Sequence, residues 1–287
     1  NQFYAWKQLA SGFWHERAIY SAMGNHESIF RAYRLRKSQP PYSGKPLYLD
    51  RWPYNTDSAE TIFAQELIHP TNGPIPSDPR RPTYKENVYS FQYGPVQFIC
   101  FNTNYWVANK AHKTGGNPEG FILSDQMAWI KKQIGKANRD KTVRYIILFS
   151  QEPIIPNGGH VRDGMWYDGN NKIRSYTLNA QQKKLIPYPK GIIEVRNTLL
   201  RLAGSSPKIA AILASDEHSY SKIRLTNQVP LGDPRKEKLV TKVKPWPKEK
   251  LVSPLSDLKY PFWHIQSGNL GAPYYNEETT PWNAYWR

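Results

Sequence analysis

The chain has 287 residues, 39% of them apolar and 14% aromatic, which is ample for a large packed core and excludes a chain that stays disordered. With 39 Lys and Arg against 23 Asp and Glu the formal charge is +16, so anionic partners are expected, whether phosphates, acidic glycans or an acidic protein. No zinc-finger spacing or interleaved basic–aromatic module is present, and apolar runs such as "YIILF" fall far short of the roughly 18 residues of a membrane helix; neither nucleic acid nor a membrane span is expected.

Phe3, Trp6, Leu9 and Phe13 recur at roughly helical spacing, which predicts a helix within residues 1–18 that leads into a strand at 18–23. Residues 37–85 hold many of the 24 prolines and predict a long irregular excursion with one helix near "SAETIFAQEL". "ENVYSFQYGPVQFICFNTN" gives two strand-like runs around Tyr-Gly-Pro, a hairpin. "LSDQMAWIKKQIGKA" puts Met127, Ile130 and Ile134 on one helical face with Ser124 as N-cap. "TVRYIILFS" and "KIAAILAS" read as buried strands, and "IIEVRNTLLRLAG" between them as a helix closed by Gly204. Residues 234–250, rich in Lys and Arg, read as an exposed basic arm. Cys100 is the one cysteine, so an internal disulfide is excluded, and its apolar neighbours predict burial. Strands that alternate with helices define an α/β layered class with a partly parallel sheet, organised as a single domain over 1–287.

In such domains functional groups collect just past the carboxyl ends of strands. Three loops fit that position: Gly-Asn-His-Glu at 24–27, Gln151-Glu152-Pro153, and Ser215 to Tyr220. Each carries amide, carboxylate or imidazole groups, the side chains that ligate metals or move protons.

These loops, in this order, resemble the motifs of the calcineurin-like metallophosphoesterases. "GNHE" matches one of them in full; "FSQEPIIPNGGHVRDGMW" is similar to a His-Glu-Pro branch of the family followed by Gly-Gly-His. "AILASDEHSYSKI" resembles its Gly-His-x-His segment, "LSDQMAWIKKQI" its Ser-x-x-Gln-x-x-Trp helix, and "IQSGNLGAPYY" its closing glycine-rich turn. The resemblance spans about residues 18–275. It implies a layered β-sandwich flanked by helices and a dinuclear centre of divalent metal ions that share a bridging carboxylate and hydroxide. It further implies Asn25, Gln151, Asp216 and His218 at the metal positions, His26 as general acid with Glu27 orienting it, and His160 and Asp163 as substrate contacts. A phosphoester or other anionic ligand is the implied substrate class, and kinship with the His-Glu-Pro branch implies an extracytoplasmic location.

The departures are as informative. The family's Asp-x-His and Gly-Asp motifs, which supply the bridging carboxylate, do not occur in the 23 residues before "GNHE". The N-terminal part of the fold is therefore expected to lie outside this sequence, on an upstream segment or a partner chain. Two of the family's imidazoles are Gln151 and Asp216 here. Two amides and a carboxylate are harder ligands than imidazoles and leave at most a Mg- or Ca-like preference.

Overall fold

The structure is a computed structural model that describes residues 2–28, 58–108, 110–155, 164–167, 170–179, 184–226, 258–268 and 285–286. Its helices are α1 (Gln2–Trp14), α2 (Ala59–Glu66), α3 (Ala111–Thr114), α4 (Ser124–Arg139) and α5 (Ile192–Gly204). The strands are β1 (Tyr89–Tyr93), β2 (Val96–Cys100), β3 (Tyr145–Phe149), β4 (Tyr176–Asn179), β5 (Lys184–Pro187), β6 (Ile209–Ala214), β7 (Tyr220–Leu225), β8 (Phe262–Ser267) and β9 (Tyr285–Trp286).

Seven strands form one sheet in the order β1-β2-β3-β6-β8-β7-β9, and β4 and β5 form a separate antiparallel ribbon. The central pairs β2–β3, β3–β6 and β6–β8 are parallel, while the hairpin β1–β2 and the pairs involving β7 are antiparallel. The layered α/β class expected from the sequence is thus present. The described residues hold this one large sheet and the small ribbon, not two large sheets packed face to face.

Parallel register puts Ile99, Leu148, Ile212 and His264 on one face, and all four are buried beneath the helices with Ile223, Leu225 and Phe262. The apolar edges of α4 (Ile130, Ile134) and α5 (Leu199, Leu200, Ala203) complete that core. The opposite face carries Phe91, Phe98, Ile147, Phe149 and Leu213, which remain half-buried; all of them except Ile147 line an open cleft. Tyr89 and Cys100 share this second face but are fully buried, because residues 18–24 run across them: the Tyr89 hydroxyl donates to Ser21 O at 3.0 Å.

That crossing replaces the strand expected at 18–23. The segment belongs to no ladder; its backbone bonds go to side chains instead, Ser21 N–H donating to His69 Nε2 at 3.3 Å. His69 is buried, donates from Nδ1 to Glu86 O at 2.9 Å and stacks on Tyr89 at 4.7 Å, so it rivets the segment to the sheet. Burial lowers its pKa from the ordinary imidazole value, consistent with a neutral ring whose Nε2 accepts. Met23, Ala59, Phe63 and Leu67 form a small second core beneath, against which Trp14 packs. The spaced residues of α1 do not do this: Trp6, Leu9 and Phe13 stay exposed.

Helix boundaries differ from expectation in two places. The N-cap position of α4 is Leu123, not Ser124, which is the first helical residue. Asp125 organises that end instead, accepting from the Ser77 N–H at 3.0 Å and the Tyr84 hydroxyl at 2.7 Å. Gly204 is the last residue of α5 and does not close it in a left-handed turn; a Cβ there would stand 2.4 Å from Leu258 Cδ2, so a larger residue would have to displace the Leu258 side chain. Residues 58–88 keep the helix expected near 58–67, capped by Ser58, and are otherwise irregular but well tethered, with Trp129 Nε1 donating to Asn72 O at 2.8 Å. The basic arm at 234–250 and residues 37–57 of the Pro-rich stretch lie outside the described residues.

Cys100 is buried as expected, and burial pushes its thiol well above the ordinary range. We expect no reaction with a thiol reagent in native buffer and one reactive thiol per chain in guanidinium; labelling of the native protein would show that residues 18–24 lift off the sheet.

Candidate functional site

The parallel ladder continues beyond its strands into the loops. Phe101 N–H donates to Phe149 O at 3.0 Å, Ser150 N–H to Leu213 O at 3.1 Å and Ser215 N–H to Gln151 O at 2.9 Å. The loops after β2, β3 and β6 therefore lie side by side at the carboxyl end of the sheet, the place where α/β domains bind ligands.

The 24–27 turn completes the group. At Gly24 a Cβ would stand 2.7 Å from Glu27 Oε2, so a larger residue would push aside the carboxylate that closes this turn. Its N–H donates to Glu27 Oε2 at 2.9 Å, and Ser28 Oγ donates to Gly24 O at 3.1 Å and to Asn104 O at 2.8 Å. The Glu27 carboxylate thus closes its own turn; its described hydrogen bond goes to the backbone, not to His26. His26 projects into solvent from that turn.

Asn25, Gln151 and Asp216 come together. Gln151 Nε2 donates to Asn25 Oδ1 at 3.3 Å and to Asp216 Oδ1, while Gln151 Oε1 accepts from Asn104 Nδ2 at 2.5 Å. Asp216 reaches this place from a left-handed backbone conformation, φ +66°, which Asp tolerates better than most residues. His218 stands two residues further along the same turn, half-buried. His160 and Asp163 lie outside the described residues.

Asn104 is the member that the sequence did not single out. It is fully buried, and its own N–H is held by Asn102 Oδ1 at 2.7 Å. Asn102 is in turn clamped by Gln126 of α4, which accepts from its N–H at 2.7 Å and donates to its carbonyl at 3.0 Å. Its signal lies in its place: "FNTN" follows an apolar strand just as "QEP" and "SDEHSY" do, although its residues by themselves mark only the end of a hairpin.

Among the described residues no group of three or more His, Cys, Asp or Glu side chains is placed to hold a metal ion. The assembled donor set is Asn25, Gln151 and Asp216, with the nitrogen of Gln151 already directed at the other two oxygens. This arrangement does not fit a pair of zinc or iron ions, which favour imidazole and thiolate.

No protein-family model matches the chain, and no curated protein matches it in sequence. Among solved structures, the purple acid phosphatase PPD1 from yellow lupin (Lupinus luteus) seeds aligns over 93% of this chain at 13% identity with a TM-score of 0.43, covering 34% of that chain. PhoD aligns over 75% of this chain at 11% identity with a TM-score of 0.35, covering 36% of that chain. The present chain spans about a third of the length of each. Among the described residues no helix is long and apolar enough to cross a membrane.

Proposed function

We propose that the chain is a calcineurin-like metallophosphoesterase domain directed at phosphoric esters, extracytoplasmic, whose centre is not completed by these 287 residues alone. The observation that carries this reading is the meeting of Asn25, Gln151 and Asp216 at the carboxyl ends of the sheet, in the chain order of the family's motifs. His26, exposed beside that cluster, is the proton donor to a leaving oxygen, and Glu27 shapes the turn that presents it. His218 supplies the remaining imidazole of the third loop, and His160 and Asp163 belong to the substrate contacts. An upstream segment or a partner chain supplies the bridging carboxylate and the first ligands for the divalent ions.

Phosphoryl transfer is catalysed mainly by positioning and by neutralising negative charge. Proton donation by His26 contributes about 10²–10⁴-fold and neutralises little of that charge. The 287-residue chain is therefore expected to hydrolyse p-nitrophenyl phosphate no faster than its His26→Ala variant. A His26-dependent, chelator-sensitive turnover by this chain would overturn the reading of an incomplete centre. Turnover that appears only with the upstream segment or partner added supports the hydrolase. The alternative is a catalytically inactive relative retained as a binding or structural subunit. It is favoured by the amide in the second metal position and is selected if no such addition restores turnover.

A further inference from the structure

We infer that the side-chain amide nitrogen of Gln151 takes the place of a cation, so that this cluster is closed by hydrogen bonds and stands without metal. A carboxylate can only accept, so the end of Gln151 that faces Asp216 has to be the NH₂ group, and the same group also faces Asn25 Oδ1. One amide nitrogen carries two hydrogens, and two oxygens converge on it. The partial positive charge of these N–H groups does for the two oxygens what a divalent ion would do, at a weaker field.

The orientation is supported from behind. Gln151 Oε1 accepts from Asn104 Nδ2, and turning Gln151 over alone would set one NH₂ group against another. Asn104 is anchored through its main chain to Asn102 and Ser28, and Asn102 is held at both of its backbone groups by Gln126. Gln126, Asn102 and Asn104 are all fully buried, so no solvent rearrangement loosens the chain. A metal entering between Asn25 and Asp216 must displace the Gln151 donor or turn Gln151 and Asn104 over together. Asn104 thereby acts as a positioning residue for Gln151.

This inference concerns the site on which the functional reading rests, but its readout is thermal and independent of turnover. The purified chain is melted in EDTA and in millimolar Mg²⁺, Ca²⁺, Mn²⁺ or Zn²⁺. A site filled at a hundred times its Kd would raise the midpoint by roughly 5–10 °C in a chain of this size; we expect the midpoint to stay within about 1 °C in every case. Gln151→Glu keeps the shape but turns a carboxylate towards Asp216, so its midpoint should fall in EDTA and recover with Ca²⁺ or Mn²⁺. The double variant Gln151→His, Asp216→His should acquire a rise with Zn²⁺ and serves if the first variant does not fold. A metal-dependent rise of about 5 °C or more in the unaltered chain would overturn the inference and mean that Asn104 and Gln151 turn over together to present oxygens. Variants as indifferent to metal as the parent would overturn it too, since the amide would then not be what keeps cations out.

Discussion

Gln126→Leu is expected to cost about 2–6 kcal/mol of folding stability, although it removes only one uncharged side chain of similar size. Gln126 is fully buried on α4 and makes a reciprocal pair of bonds with the backbone of Asn102, at 2.7 and 3.0 Å. Leucine leaves a buried N–H and a buried C=O without those partners, and each orphaned group costs about 1–3 kcal/mol. Against a total stability of about 5–15 kcal/mol for a typical domain, this is a large fraction. Urea titration of Gln126→Leu beside Lys132→Ala, an exposed position on the same helix, separates the two cases, since surface changes stay within about 0.5 kcal/mol. Equal midpoints for the two variants would show that Gln126 does not hold the loop after β2.

Acid should weaken the fold before it reaches the ordinary carboxylate range, and His264 is the main cause. The ring is fully buried on the covered face of β8, its Nε2 accepts from Ile154 N–H at 3.2 Å, and desolvation lowers its pKa from 6.5 to about 4. Between those values the unfolded chain binds a proton that the folded chain does not, so stability rises with pH across the interval. The neutral ring's contribution is complete above about 6.5 and is lost as pH falls towards about 4. The loss amounts to about 3 kcal/mol over that window. His69, whose pKa is also lowered by burial, adds a loss of the same sign. Denaturant midpoints between pH 7 and 4 should fall in the parent and fall less in His264→Gln, whose amide oxygen can accept from Ile154 without titrating. Parallel pH profiles in the two proteins would remove His264 as the cause.

Much of the architecture was legible. The runs at 145–149 and 209–214 are apolar enough to declare central strands, and the spacing of Ile130, Ile134, Leu199 and Leu200 declares the helices above them. The strand expected at 18–23 was not found, because a short apolar run does not say where its backbone bonds go; of this segment only Met23 is buried. Whether its N–H groups meet a strand or a histidine depends on His69, remote in sequence. β7 and β8 escaped notice for a related reason: "YSKIRL" and "FWHIQS" mix polar residues into strands covered by helices on one face only. In the site, the positions that met were those with a motif behind them. Asn104 was missed because asparagine in a loop is the commonest of turn residues, and only the parallel pairing of β2 with β3 turns that loop towards Gln151.

The chain of amides from Gln126 through Asn102 and Asn104 to Gln151 and Asn25 contains no group that titrates in water, and it ends on the single carboxylate of Asp216. Dipoles of this kind are screened by salt far less than exposed ion pairs and gain no charge in acid. Protonation of His264 does reach this chain, because its Nε2 accepts from Ile154 N–H in the same loop that carries Gln151. Acid unfolding should therefore begin where His264 meets the loop after β3, next to the uncharged amide chain.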